Sequence, residues 1–127
     1  MASDLFDVSE RVALITGASR GIGRAIAQGL AEAGASIALS SRTHVDLLQT
    51  AEEIRALGTP AEAFPANVAS VVEIQALVRD VLDRMGQIDI LVNVAGVNRR
   101  GPSTEITEED WDTVLDLNLK GLFFSSQ

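Results

Sequence analysis

Residues 16–23 read Thr-Gly-Ala-Ser-Arg-Gly-Ile-Gly and set Gly17, Gly21 and Gly23 at the spacing Gly-x-x-x-Gly-x-Gly. The turn joins an apolar run to a helix-like stretch. Its glycines allow a tight bend and a close approach of backbone to ligand, and the helix start offers unpaired N–H groups with partial positive charge. That chemistry holds a pyrophosphate, with Ser19, Arg20 and Ile22 inside the turn. A purely structural glycine turn would show the same triplet, but the strand before it and the helix after it supply the context in which such turns bind dinucleotides. About 20 residues further on, an acid would bond a ribose 2′-hydroxyl and repel a 2′-phosphate, and an arginine would do the reverse. Ser41 and Arg42 stand there, with no acid beside them. Arg42 can hold a phosphate through two parallel N–H bonds, Ser41 can donate another, and Arg20 adds a second cation. The alternative is that both arginines are solvated surface residues.

The elements that must position these groups follow from periodicity. Val12–Thr16 reads as a buried strand. Residues 21–33 read as a helix with Ile22, Ala25, Ile26 and Leu30 on one face and Gly34 as its stop. Ser36–Ser40 is a second strand, and residues 43–58 a second helix, with Thr43 and Asp46 at capping-box spacing. Residues 61–66 form a third strand, weakened by Pro65; Ser70 and Glu73 open a third helix that ends near Gly86. Residues 88–94 are a fourth, long apolar strand, and Thr107 starts a fourth helix that runs to the end. Alternating apolar strands and helices imply an α/β fold, a doubly wound parallel sheet of Rossmann type with strand order 3-2-1-4.

Composition narrows the function. The chain has 127 residues, 46% of them hydrophobic, a net charge of −8, no cysteine and no tyrosine. One domain with a sizeable core is expected. The acidic balance argues against nucleic acid or an anionic membrane as partner. No disulfide framework or thiolate metal site can form, which fits a reducing cytoplasm. No apolar stretch reaches membrane-spanning length, and the acidic N-terminus lacks the apolar region of a signal peptide.

The glycine motif, Asn93-Val94-Ala95-Gly96 after the fourth strand, and Asn118-Leu119-Lys120-Gly121 in the fourth helix occur in that order. Together they resemble the short-chain dehydrogenase/reductase family over essentially the whole chain. The resemblance implies an oxidoreductase that transfers a hydride between a nicotinamide and a carbonyl or alcohol substrate, acting as a homo-oligomer. The Ser41–Arg42 pattern is similar to members that prefer NADP. It also implies adenine contact by Asn67 and Val68, which would otherwise be a loop pair satisfying local backbone. Asn93, Ala95 and Gly96 would lie against the ribose nearer the nicotinamide. Val94 replaces the family's second Asn, which removes a side-chain hydrogen bond from this turn.

Of the family's catalytic groups only the helix Asn has a counterpart, Asn118. It shares a helix face with Trp111, Leu115 and Leu122, and on that apolar stripe it needs a buried partner. Bonding to nearby backbone competes with the family's role of holding a proton-relay water. The family's Tyr-x-x-x-Lys has no counterpart, and its Ser belongs to a later strand; Ser125 and Ser126 sit in the helix and are not assigned. The expectation is therefore the dinucleotide-binding part of one domain, cut within the fourth helix. The 127 residues alone would be a non-catalytic dinucleotide-binding fragment or a remnant.

Arg99 and Arg100 follow the fourth-strand turn and could hold a substrate carboxylate or phosphate, as in sugar-acid dehydrogenases of this family; a 3-oxoacyl substrate is the other reading. Trp111 is expected in the core, and His44 as a first-turn helix residue with no metal partner. Glu105, Glu108, Glu109 and Asp110 complement the dipole of the fourth helix.

Overall fold

The computed structural model describes residues 4–127. Four β-rich runs form the strands β1 (Val12–Thr16), β2 (Ser36–Ser40), β3 (Ala61–Ala63) and β4 (Ile90–Val92). They alternate with helices α1 (Gly21–Glu32), α2 (His44–Ala56), α3 (Val71–Met85), α4 (Glu108–Leu115) and α5 (Leu122–Ser126). All strand pairs are parallel and their order is β3-β2-β1-β4. Thr16 lies opposite Ser40, and Ile15 opposite Val92. The loops that follow β1, β2 and β4 therefore emerge at one edge of the sheet, which is where ligands sit in open α/β folds.

Period-two alternation sorts the strand side chains into two cores. Ala13, Ile15, Ile37 and Leu39 pack under α1 and α2 against Ala27, Ala31, Leu47, Ala51 and Ile54. Leu14 and Ala38 face the other way, toward Phe64, Ile74, Leu77 and Val81. Each fully buried aliphatic side chain stabilises the fold by roughly 1.5–3 kcal/mol relative to exposure.

Several local expectations are corrected by the packing. The buried face of α1 is Gly23, Ala27 and Ala31, not the face of Ile22, Ala25, Ile26 and Leu30. Ile22 is 71% exposed. The small residues win because α1 sits close against the glycine turn: a Cβ at Gly23 would lie 2.1 Å from the Gly17 carbonyl oxygen. At α2, Thr43 is the N-cap but its side chain caps nothing. Ser41 closes a local turn ahead of the helix instead, with Oγ accepting from Thr43 N–H and donating to the Thr43 carbonyl, both at 3.3 Å. At α3, Ser70 Oγ accepts from Glu73 N–H at 3.3 Å, and Glu73 reaches past Ser70 to the backbone N–H of Asn67 at 3.1 Å. Gly86 closes α3 in the left-handed conformation.

The third and fourth strands are shorter than expected, at three residues each. β4 is a short, half-buried edge rather than a long one. The fourth helix runs unbroken to Ser126, but its winding changes on the way. Thr107 and Asp110 form a complete capping box at the start of α4, but residues Asp116–Gly121 are π-helical before α5 begins. Trp111 is 61% exposed, which overturns its placement in the core.

Candidate functional site

A cleft of about 340 Å³ opens at the carboxyl edge of the sheet. It brings together Gly17, Ser19, Arg20, Gly21, Ile22, Ser41, Arg42, Asn67, Val68, Ala95 and Gly96, with Thr16, Ser40, Thr43, Ala66, Val94 and Leu117 completing the wall. Gly23 and Asn93 stand outside this lining. Gly23 serves the turn from behind, against Gly17. The Asn93 amide donates to Ser126 Oγ at 3.2 Å.

The glycine turn is built for close approach. Gly17 has φ +63°, and a Cβ there would lie 2.7 Å from the backbone nitrogen of Ala95. Two of the loops at this edge thus touch backbone to backbone. Arg20, the N-cap of α1, is extended and makes no side-chain cap bond. The first-turn N–H groups of α1 keep their capacity for an anion. No aspartate or glutamate is among the lining residues. Among the described residues, the ion pairs are Arg11–Asp89 and Arg24–Glu53, so neither Arg20 nor Arg42 is neutralised by a salt bridge.

Sequence reasoning missed two supporting threonines. Thr16 is 2% exposed. Its Oγ1 accepts from the backbone N–H groups of Val94 at 3.2 Å and Ala95 at 3.3 Å, and faces the Val92 carbonyl at 3.5 Å. The turn that lacks the family's second Asn is therefore held from β1, while Val94 packs against the core. The signal available was a polar residue ending an otherwise apolar strand. Thr50, fully buried in α2, shares its hydroxyl between the carbonyls of Asp46 at 3.1 Å and Ser19 at 3.4 Å. Only the tertiary fold brings it to the glycine turn.

Ser41 stands in the cleft wall, and its hydroxyl also lies 3.3 Å from the Thr43 carbonyl. Asn118 is exposed, not buried in an apolar stripe with Trp111, Leu115 and Leu122. Its side chain grips one residue's backbone on both sides: Oδ1 accepts from Val97 N–H at 2.8 Å and Nδ2 donates to the Val97 carbonyl at 2.9 Å. The side chain thus bonds nearby backbone from within the π-helical segment, and it fixes the strand of loop beyond Gly96. Gly121, at the end of that segment, packs where a Cβ would lie 2.4 Å from the Val68 carbonyl oxygen.

Arg99 and Arg42 both line a neighbouring groove together with Glu108, Glu109, Asp112 and Asp116, carboxylates that compete with an anion there. His44 sits in the first turn of α2. Among the described residues there is no group of three or more potential metal ligands, and no helix is long and apolar enough to cross a membrane.

A family profile described as short chain dehydrogenase matches residues 11–127. The chain is 44% identical to 3-oxoacyl-acyl-carrier-protein reductase FabG of Staphylococcus aureus over 112 residues, covering 87% of this chain and 46% of the relative. A short-chain type dehydrogenase/reductase of Mycobacterium marinum superposes with a TM-score of 0.94 at 35% identity, over 98% of this chain and 50% of the other. A metagenomic short-chain oxidoreductase solved in complex with NADP superposes with a TM-score of 0.90 at 38% identity, over 94% of this chain and 54% of the other. The chain spans about half the length of the relatives it matches.

Proposed function

The chain belongs to the short-chain dehydrogenase family, and on that premise we propose that its glycine-lined cleft binds NADP as the cofactor half of a cytoplasmic, homo-oligomeric oxidoreductase. The observation that carries the cofactor choice is the charge of the cleft. Arg20 and Arg42 line it and no carboxylate does. A ribose 2′-phosphate is favoured by that balance, and a free 2′-hydroxyl gains nothing from it. The fit is supported by the backbone cradle. Added Cβ atoms at Gly17 or Gly23 would strike backbone, and the start of α1 has no side-chain cap.

In this reading the N–H groups of Gly21, Ile22 and their neighbours hold the pyrophosphate. Arg42, assisted by Arg20, holds the 2′-phosphate. Asn67 and Val68 border the adenine, and Ala95 and Gly96 border the second ribose. Asn93 and Gly23 act by shaping the turns. When bound, the nicotinamide supplies or accepts the hydride exchanged with a carbonyl or alcohol carbon. Asn118 orders the substrate-side loop through Val97 and takes the place of the family's helix Asn. The substrate is a small carbonyl compound or alcohol, of 3-oxoacyl or sugar-acid type.

A second reading is favoured by one fact of composition. With no tyrosine among 127 residues, the family's proton donor cannot come from them. By themselves they are a dinucleotide-binding fragment without turnover. Titration with NADPH and NADH, followed by nicotinamide fluorescence, tests the proposal. NADPH should bind roughly 10- to 100-fold more tightly, the range set by charge-assisted bonds to a phosphate. Arg42→Asp should remove or invert that preference. Equal binding of the two dinucleotides by both proteins would overturn the assignment.

A further inference from the structure

Away from the cleft, the sheet ends at β3, and the backbone groups of that edge can be assigned one by one. In the parallel ladder Ile37 lies opposite Ala61 and Leu39 opposite Ala63. The Pro60 carbonyl accepts from Ile37 N–H at 2.9 Å, and Phe64 N–H donates to the Leu39 carbonyl at 2.8 Å. Residues 60, 62 and 64 therefore turn their groups toward β2, and Ala61 and Ala63 turn theirs outward. An outward row of this kind is a template for a further strand. It is also self-complementary. A second copy related by a two-fold axis through Glu62 would receive the Ala61 N–H on its Ala63 carbonyl and the Ala63 N–H on its Ala61 carbonyl. The same bonds would run in reverse, and the two sheets would join into one.

We propose that the β3 edge is a latent pairing surface for a second copy of this chain, and that Arg55 is the guard that holds it closed. Arg55 stands in the last turn of α2, and its Nε donates to the outward Ala61 carbonyl at 2.7 Å. That carbonyl keeps a second lone pair, so the block lies in the space as much as in the bond. A neighbouring strand runs about 4.8 Å from the edge, and the guanidinium already stands inside that lane. An incoming strand would have to displace a charged group and break its bond. Two further features act on particular registers. In the match through Glu62, that carboxylate would face its own copy in a non-hydrogen-bonded pair, where side chains come closest and like charges repel. Sliding the match to centre on Ala63 sets Ala61 opposite Pro65, which has no N–H to give. The proposal does not depend on what the cleft binds.

The chain has no cysteine, so a single one introduced at Glu62 reports on this edge alone. Glu62→Cys also removes the carboxylate, which leaves Arg55 as the feature under test. Across the two-fold match the two thiols would stand opposite each other, within reach of a disulfide. The initial rate of disulfide-linked dimer formation under a mild oxidant is read by non-reducing electrophoresis. Adding Arg55→Ala should raise that rate about tenfold, the worth of one to two net hydrogen bonds regained between strands. Asp83→Cys, on the exposed side of α3, is the control, and its rate should not change with Arg55→Ala; a shared rise at both sites would signal loosened folding or general association. Arg55→Met is the second variant. It keeps the aliphatic stem, removes the guanidinium, and should give a rise at Glu62→Cys of the same sense. A rate at Glu62→Cys that neither variant moves, or one that rises equally at Asp83→Cys in both, would overturn the proposal.

Discussion

The two halves of the cleft edge are built differently. On the β1–α1–β2 side, Ile15, Ile37, Leu39, Leu47 and Ile54 are fully buried, and the glycine turn is fastened by Gly23 from behind and by Thr50 from α2. On the β4–α4–α5 side, β4 is only half-buried, and Gly121 is the one buried residue in the helical stretch from Glu108 to Ser126. Trp111, Leu119 and Phe123 are each at least 60% exposed there. The first side fixes its backbone by close packing within the chain. The second packs more sparsely, through Leu91, Leu117, Phe124 and the close approach of Gly121 to Val68, and adds discrete polar bonds: the Thr107–Asp110 capping box and the grip of Asn118 on Val97. Close packing holds the backbone of the turn proposed to cradle the phosphates, while the proposed substrate side leans more on single hydrogen bonds.

Substitutions should separate the two sides. The largest effect is expected from Gly23→Ala, whose Cβ meets the Gly17 carbonyl oxygen at 2.1 Å. Overpacking of this kind costs about 1–3 kcal/mol, and more where neither backbone can yield. Circular-dichroism melting should show a clear drop in Tm together with loss of NADPH binding. Thr16→Val should cost about 1–3 kcal/mol, because it leaves the N–H groups of Val94 and Ala95 without their acceptor. Faster hydrogen exchange at those two amides would identify the cause. Thr107→Ala removes half of a capping box and should cost about 1 kcal/mol, with helix loss confined to α4 and cofactor affinity unchanged. The smallest effect is expected from Trp111→Ala, within about 0.5 kcal/mol in melting, since the side chain is mostly in solvent. A large loss there would show that the second side is packed as tightly as the first, and the contrast would collapse.

Legibility in the sequence follows the same division. β1, β2 and the strand order could be read because short apolar runs between helices leave few parallel arrangements. Gly86 and Ser70 were legible as caps because a cap is a local device. The cleft was largely legible too, since Gly17, Arg42, Asn67 and Gly96 stand at strand ends. Features set by tertiary contact were not. The face of α1 follows from how close Gly23 comes to Gly17, which periodicity cannot report. Thr43 has a cap's side chain and spacing, and only the backbone path decides that it makes no cap bond. The bonds of Asn118 reach Val97, 21 residues earlier in the chain, and the exposure of Trp111 depends on what else packs against α4.

The central claim is that the packed, cationic side is the cofactor site. It is tested most directly by amide hydrogen exchange of the 127-residue chain with and without saturating NADP. Slowed exchange is expected through Gly17–Gly23, at Ser41–Thr43 and at Val68, with no change across Trp111–Leu115. Unchanged exchange in the glycine turn at millimolar NADP, or slowed exchange confined to α4, would contradict it.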